Sequence, residues 1–310
     1  MTNRSGVAVI GSMTADVTAK ATRLPKRGQT VLGSDFTLIS GGKGSNQAVM
    51  AAHMGVPTWM VGSVGNDLFR DTILHSLQTH GVDTRFVDVL DGESTGIAHI
   101  RVDESGDNDI VIVPLANTKT SPARVDGFFN HGVDVNVLLL QLEIPLETVF
   151  YAAQQAKEKG VTVIFDPAPA VDVPNDIYQY VDIVTPNETE ASILTGIDVH
   201  DVKTAEQAAR VFRDKGVSTT MVTLGDKGVV VFDRNGLRHF EAYSAAVIDT
   251  TAAGDAFTGT LGACLSQGVT MDTAISYAMA AGALTVTRMG AQSSLPTKQA
   301  IVEFIQGRKN

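Results

Sequence analysis

The stretch NVLLLQLEIPLETVFYAAQQAKEKGVTVIFDPAP, residues 136–169, decides the fold. It opens on an apolar run, NVLLLQLE (136–143), that reads as a buried strand ending at Glu143. A helical pattern follows at about 146–159, and a second β-rich run, VTVIFDPAP (161–169), brings in Asp166. Strand, helix, strand is the repeating unit of a parallel sheet covered by helices. The rhythm continues outward. VAVIGS (7–12), TWMVGSVG (58–65), DIVTPNE (182–188) and TTMVTLG (219–225) read as strands. Helical patterns lie at about 44–55, 67–80, 188–195 and 204–215. The expected class is α/β, a doubly wound, mostly parallel sheet flanked by helices. In such sheets ligands sit beyond the C-terminal strand ends. Ser12, Glu143, Asp166, Asn187, Glu188 and Thr223 all follow those ends, so several of them should share one crevice.

Two regions break the rhythm. Residues 15–40 and 94–113 show strand alternation around turn signals and no helix, with DESGDN as a hairpin turn. They predict four short strands in a small second sheet. An open sheet needs cover, which a lid over a ligand or a dimer contact would supply. Beyond residue 250 the chain reads as mostly helical. With no repeat, low-complexity tract or linker, the expectation is a single domain, 1–310, carrying a lid.

Bulk properties exclude several partners. Among 310 residues, 24 basic and 34 acidic side chains give a net charge of -10. That argues against a nucleic-acid groove or an anionic membrane surface. It leaves room for a small anionic ligand, because backbone N–H groups bind phosphate without Lys or Arg. Cys264 is the one cysteine, so no internal disulfide forms, and GACLSQG places it on a buried helix face. The start, MTNRSGVAVIGS, has a four-residue apolar run and no signal-peptide core. No run approaches the ~18 apolar residues of a membrane span. The expected location is the cytoplasm.

Four motifs carry chemistry. In DTTAAGDAFTG (249–259), apolar residues recur at helical spacing from Ala253 onward. Thr250 or Thr251 is the expected cap. Ala252, Ala253 and Gly254 would then supply free N–H groups, an anion site at the positive end of the helix. Asp255 beside that site suits removal of a proton from a hydroxyl while the amides hold the charge on a phosphoryl group. An acid in a first helical turn is also simply stabilising. SGGKGSNQA (40–48) is neither a Walker A loop, since Lys43 precedes Gly44, nor a dinucleotide fingerprint, since Gln47 stands where the last Gly belongs. It leaves a double glycine and a helix start bearing Lys43 and Asn46, able to bond a polar substrate's hydroxyls. TPNETE (185–190) sets Asn187 and Glu190 one turn apart. Asn187 can donate to a phosphate and Glu190 can order the water around a magnesium ion, though a bare capping box gives the same pattern. VTLGDKGVVVF (222–232) would wrap a nucleotide base or form an ordinary hairpin. The seven histidines show no zinc spacing, and no GxSxG elbow occurs.

Taken in order, these motifs resemble the ribokinase-like carbohydrate kinase family named after phosphofructokinase B. GSMTAD, GGKGSNQA, GESTGIA, LQLE, PAPA, TPNETEA, VTLGDKG, DTTAAGDAF and TRMGAQSS carry the resemblance over most of the chain. It implies transfer of a phosphoryl group from ATP to a sugar's primary hydroxyl, with ribose O5 the leading expectation. It also implies a lid that clasps a homodimer. By position, Asp255 would be the base, with Ala252, Ala253 and Gly254 as the anion hole. Thr14, Asp16, Gly42, Lys43, Asn46 and Glu143 would face the sugar. Asn187, Thr223, Leu224, Gly225, Asp226, Lys227, Gly228 and Met279 would face the nucleotide. Glu190 would act on magnesium (Mg2+) through water. A potassium (K+) site would fall on Asp249, Thr251, Thr285, Arg288, Gly290 and Ser294, several through backbone carbonyls. Thr14 departs from the pattern, which usually has Asn there. The shorter side chain presents no amide, which bears on the choice of sugar. Met279 stands where a polar residue often lies. The alternatives are a kinase for deoxyribose, another pentose or ketose, or a nucleoside, and a non-catalytic sugar-binding regulator.

Overall fold

A computed structural model describes residues 5–308. The first half of the chain runs β1 (Gly6–Ile10), β2 (Thr14–Ala21), β3 (Gly33–Gly41), α1 (Lys43–His53), β4 (Thr58–Gly65), α2 (Leu68–Thr79), β5 (Asp83–Leu90), β6 (Ile97–Val102), β7 (Asn108–Val113), α3 (Pro122–Asn130) and β8 (Val135–Leu140). It continues with α4 (Leu146–Glu158), β9 (Thr162–Phe165), β10 (Ile183–Val184), α5 (Glu188–Thr195), α6 (Val202–Asp214), β11 (Thr219–Thr223), β12 (Val229–Asp233) and β13 (Gly236–Phe240). Helices α7 (Ala253–Ser266), α8 (Met271–Thr285) and α9 (Lys298–Gln306) end it.

The deciding stretch folds as β8, α4 and β9, with β8 and β9 paired in parallel. Among the described residues the main sheet has the order β13-β12-β11-β10-β9-β8-β1-β4-β5. It is parallel from β11 to β5 and ends in the antiparallel pairs β11/β12 and β12/β13. Burial on both faces explains the unbroken apolar runs. In β1, Val7 and Val9 pack on one core and Ala8 and Ile10 on the other. In β8, Val137 and Leu139 go one way and Leu138 and Leu140 the other. Each fully buried Leu stabilises by roughly 1.5–3 kcal/mol, so polar residues wait for the strand ends. One face carries α1, α2, α7, α8 and α9; the other carries α3 to α6.

Strand β1 has β4 on one side and β8 on the other, so the chain winds away from it in both directions. A crevice opens at such a switch point, beyond the C-terminal ends. The two breaks in the rhythm supply β2 and β3, then β6 and β7, which form a separate sheet ordered β3-β2-β6-β7. Its outer pairs are antiparallel, and β2/β6 is parallel. Three elements lie outside the sequence-based expectation: α3 and the edge strands β5 and β13. No helix among the described residues is long and apolar enough to cross a membrane.

Candidate active site

The crevice holds a cavity of about 190 Å³. Its walls bring together Lys43 from α1, Asp166 after β9, Asn187 and Glu190 from the start of α5, Thr223 from β11, and 252–255 from the start of α7. Elements far apart in sequence therefore meet here because their strands end on the same edge.

Asp255 is buried at the start of α7, and both its oxygens are held from α1. Asn46 Nδ2 donates to Oδ2 at 2.9 Å and Gln47 Nε2 to Oδ1 at 3.2 Å. The expected threonine cap is absent. Thr251 turns its hydroxyl and its amide back to Asp249 Oδ1, at 2.6 and 2.9 Å. Ala252 becomes the N-cap instead, with φ 60 and no side-chain bond to the helix. A left-handed alanine costs roughly 1–2 kcal/mol. A second correction concerns Ala253, whose amide is engaged by Thr250 O at 3.3 Å. Among the described residues, no protein acceptor takes the amides of Ala252, Gly254 and Asp255. Those three N–H groups are open to an anion, with Ala253 contributing wall.

The residues expected at the sugar gather on the lid side. Thr14 Oγ1 donates to Asp16 Oδ1 at 2.9 Å, so its hydroxyl proton is committed. Burial pushes the Asp16 carboxyl up to about 6, with the Thr14 bond opposing and the charges of Glu143 and Asp255 adding. Glu143 Oε2 accepts from Ser12 Oγ at 2.5 Å and from the Lys43 amide at 3.1 Å, which caps α1 from the segment just past β8 and leaves Oε1 without a partner among the described residues. The Asn46 carbonyl oxygen is buried without a partner. It is a ready acceptor for a hydroxyl. The double glycine is demanded by the chain itself. Gly42 has φ 91, and a Cβ there would lie 2.8 Å from the Thr14 nitrogen. A Cβ on Gly41 would lie 2.1 Å from the Asp16 carboxylate.

Across the cavity, Asn187 and Glu190 form a reciprocal capping box: Asn187 Oδ1 accepts from the Glu190 amide and Glu190 Oε2 from the Asn187 amide, both at 2.9 Å. Glu190 Oε1 accepts no hydrogen bond among the described residues and can meet a ligand, with the Asn187 side chain beside it. Burial raises the Glu190 pKa, opposed by the Asn187 amide and by the Lys43 charge. Burial works against the charge on Lys43, but Asp255, Asp166, Glu143 and Glu190 together outweigh it and hold the ammonium protonated.

Of the other expected residues, Thr223 lines the cavity and the rest lie outside its lining. Thr223 bridges to Asn187, but Leu224 is buried and Gly225–Lys227 form an exposed turn between β11 and β12. Lys227 Nζ donates to His200 O at 2.7 Å. Met279 is half-buried on α8 and packs on the core. Asp249 takes the Gly290 amide on Oδ2 at 2.8 Å, joining the loop before α7 to the loop after α8. Thr285 and Ser294 turn their hydroxyls to Ala281 O and Ala291 O, and exposed Arg288 gives its amide to Thr285 O. For a cation these segments offer the Asp249 carboxylate and backbone carbonyls, an all-oxygen set suited to a hard ion.

Sequence reasoning missed Gln47, Gln141 and the role of Asp166. Asp166 was visible as a polar residue after a strand, and Gln47 sits inside SGGKGSNQA. Their mutual contacts arise only when α1, β8 and β9 converge.

A family profile described as pfkB family carbohydrate kinase matches residues 4–298. A ribokinase from Haemophilus influenzae is 41% identical over 303 residues, spanning 98% of this chain and 99% of its own. A deoxyribokinase from Salmonella typhi is 35% identical over 300 residues, spanning 96% and 98%. The structure of Arabidopsis thaliana ribokinase complexed with ribose and ATP matches with a TM-score of 0.90 at 32% identity, covering 97% of this chain and 99% of that one.

Proposed function

The chain belongs to the pfkB family of carbohydrate kinases, and we propose that it moves the γ-phosphoryl group of ATP onto a pentose, at O5 of D-ribose. What carries this is the placement of Asp255: an acid held from two sides, beside bare helix amides, facing a protonated lysine across one cavity. The sugar lies between Asp16, Gly42, Asn46 and Glu143, with its primary hydroxyl against Asp255. A lone pair on the Asp255 carboxylate takes the hydroxyl proton. The amides of Ala252, Gly254 and Asp255, with Lys43, hold charge on the migrating phosphoryl group. The transition state of such transfers is loose, so the proton leaves late and a carboxylate is base enough. Asn187 donates to the nucleotide phosphates, while Thr223 and the turn through Gly228 line its path, with Met279 behind. Glu190 would orient the water shell of a magnesium ion, which would neutralise phosphate charge when bound. Asp249, Gly290 and neighbouring carbonyls would hold a potassium ion, which would fix the loop ahead of the open amides.

Thr14 favours 2-deoxyribose as the second acceptor. Its hydroxyl proton is spent on Asp16, so the site has one donor fewer for a sugar hydroxyl. Two copies associate through their lid sheets, where Ile110, Val111 and Ile112 are 52%, 61% and 51% exposed. The protein works in the cytoplasm.

The test is kcat/KM for ribose, 2-deoxyribose, fructose and adenosine with magnesium and ATP, in potassium and in sodium. Ribose is expected to lead, with lower rates in sodium. A higher value for another acceptor replaces ribose, equal rates in both salts remove the ion site, and no transfer to any of the four ends the proposal.

A further inference from the structure

Gln47 is wholly buried on α1, does not line the cavity, and nevertheless touches two of its acids. Its Nε2 donates to Asp166 Oδ2 at 2.8 Å and to Asp255 Oδ1 at 3.2 Å. Its Oε1 accepts from Gln141 Nε2, also buried, at 2.6 Å. The amide is oriented with its amino group to the acids and its carbonyl to Gln141. Four elements are pinned by this one side chain, namely α1, α7, the end of β9 and the residue just past β8.

The chemistry of the position is restrictive. Two carboxyl groups reach the same nitrogen, so they sit close enough to repel when both are charged. A glutamine gives each one N–H and adds no charge. A glutamate would add a third acid, and an apolar residue would leave two buried acids facing each other. Burial drives Asp166 toward its neutral form, opposed by Lys43 and assisted by the charges of Glu190, Asp255 and Glu143. Asn46 holds the other oxygen of Asp255. The carboxylate is therefore gripped at both ends from α1, and its remaining lone pairs face the cavity.

We propose that Gln47 is a positioning residue for the transfer: its amide fixes the plane of the Asp255 carboxylate and ties it to Asp166, so that base and cavity floor keep one geometry through turnover. This rests on Asp255 being the base. Gln141 supports it one bond further back.

Gln47→Met keeps the length and removes the amide. We expect kcat to fall ~10- to 100-fold, the scale of a misplaced reacting group, with KM for sugar and for MgATP within about threefold. Gln141→Leu should act in the same direction, by roughly threefold to tenfold. A Gln47→Met enzyme with kcat within threefold overturns the proposal, as does a loss confined to KM. Should Gln47→Met not melt cooperatively, Gln141→Leu decides on the same two readouts. Asp255→Asn is run alongside. Turnover surviving there refutes the base itself, whereas a dead Asp255→Asn beside an unaffected Gln47→Met refutes Gln47 alone.

Discussion

Helices α5 and α7 both begin on the same cavity, and they begin in opposite ways. Helix α5 closes its own end: Asn187 and Glu190 satisfy one another's amides in a capping box. Helix α7 leaves its end open: the threonine ahead of it turns away, and Ala252 enters in a left-handed conformation with nothing to offer. A capping box stabilises a helix by about 1 kcal/mol, and a left-handed alanine costs about as much. Stability alone would have capped both. The difference shows where the fold keeps amides free for an anion and where it needs a helix that stays still while side chains reach over it.

The largest break comes from removing the acid and keeping the open amides. Asp255→Asn should lower kcat by ~10²–10⁴, the usual worth of a positioned base. Sugar and nucleotide affinity, read by calorimetric titration, should change by no more than a few-fold. Near-normal turnover would leave the open helix end as an anion site without a base.

A second variant makes α7 resemble α5. Asp tolerates left-handed backbone, so Ala252→Asp would place a carboxylate over the amides of Gly254 and Asp255. The helix should gain its missing cap, and melting should rise by roughly 2 °C. The same carboxylate would displace and repel phosphate, so kcat/KM for ATP should fall about tenfold or more. A rise in stability with unchanged kinetics would show that the open amides serve no ligand.

The converse variant opens α5. Asn187→Ala removes the box acceptor and should cost ~1 kcal/mol of stability in urea unfolding. It also deletes the amino group facing the cavity, so KM for ATP should rise a few-fold with kcat little altered. A stability loss with no change in KM would confine Asn187 to capping.

How far this contrast was visible beforehand depends on the kind of signal. The α/β class, the bounds of β4 at Thr58–Gly65 and the four lid strands followed from apolar runs and turn chemistry, both local. The missed edge strands have reasons. In β5, Asp83–Leu90, Asp83, Arg85 and Asp88 interrupt the apolar residues and only Phe86 is buried, as suits an edge strand, which blurs a strand in a sheet of buried runs. Strand β13 opens at Gly236, and the Asn235-Gly236 step is a hairpin signal. At the site, the acid at 255 and the box at 187–190 are patterns within one turn of helix. The failed cap is not, because Thr251 is diverted by Asp249, itself anchored to Gly290. Gln47 was legible only as a polar residue on a helix start, since its partners lie 94, 119 and 208 residues away.

Asp16 extends the contrast to an acid that has no helix amide at all. Only the Thr14 hydroxyl opposes the burial that pushes its carboxyl up to about 6. A carboxyl accepts from sugar hydroxyls fully only when ionised. KM for the sugar should therefore climb as pH falls through about 6, by up to about tenfold per pH unit below it. Stability should move the other way. The folded pKa lies above the value near 3.8 of a free Asp, so the folded chain holds an extra proton between the two. Asp16 thus contributes stability as pH drops from about 6 toward 4, and that contribution is absent above 6. Thr14→Val removes the one opposing donor and should shift the rise in KM upward by less than a full pH unit. A KM that stays flat from pH 7 to 5 in both proteins would mean that Asp16 meets no sugar hydroxyl, leaving Asn46 and Glu143 to orient the acceptor against Asp255.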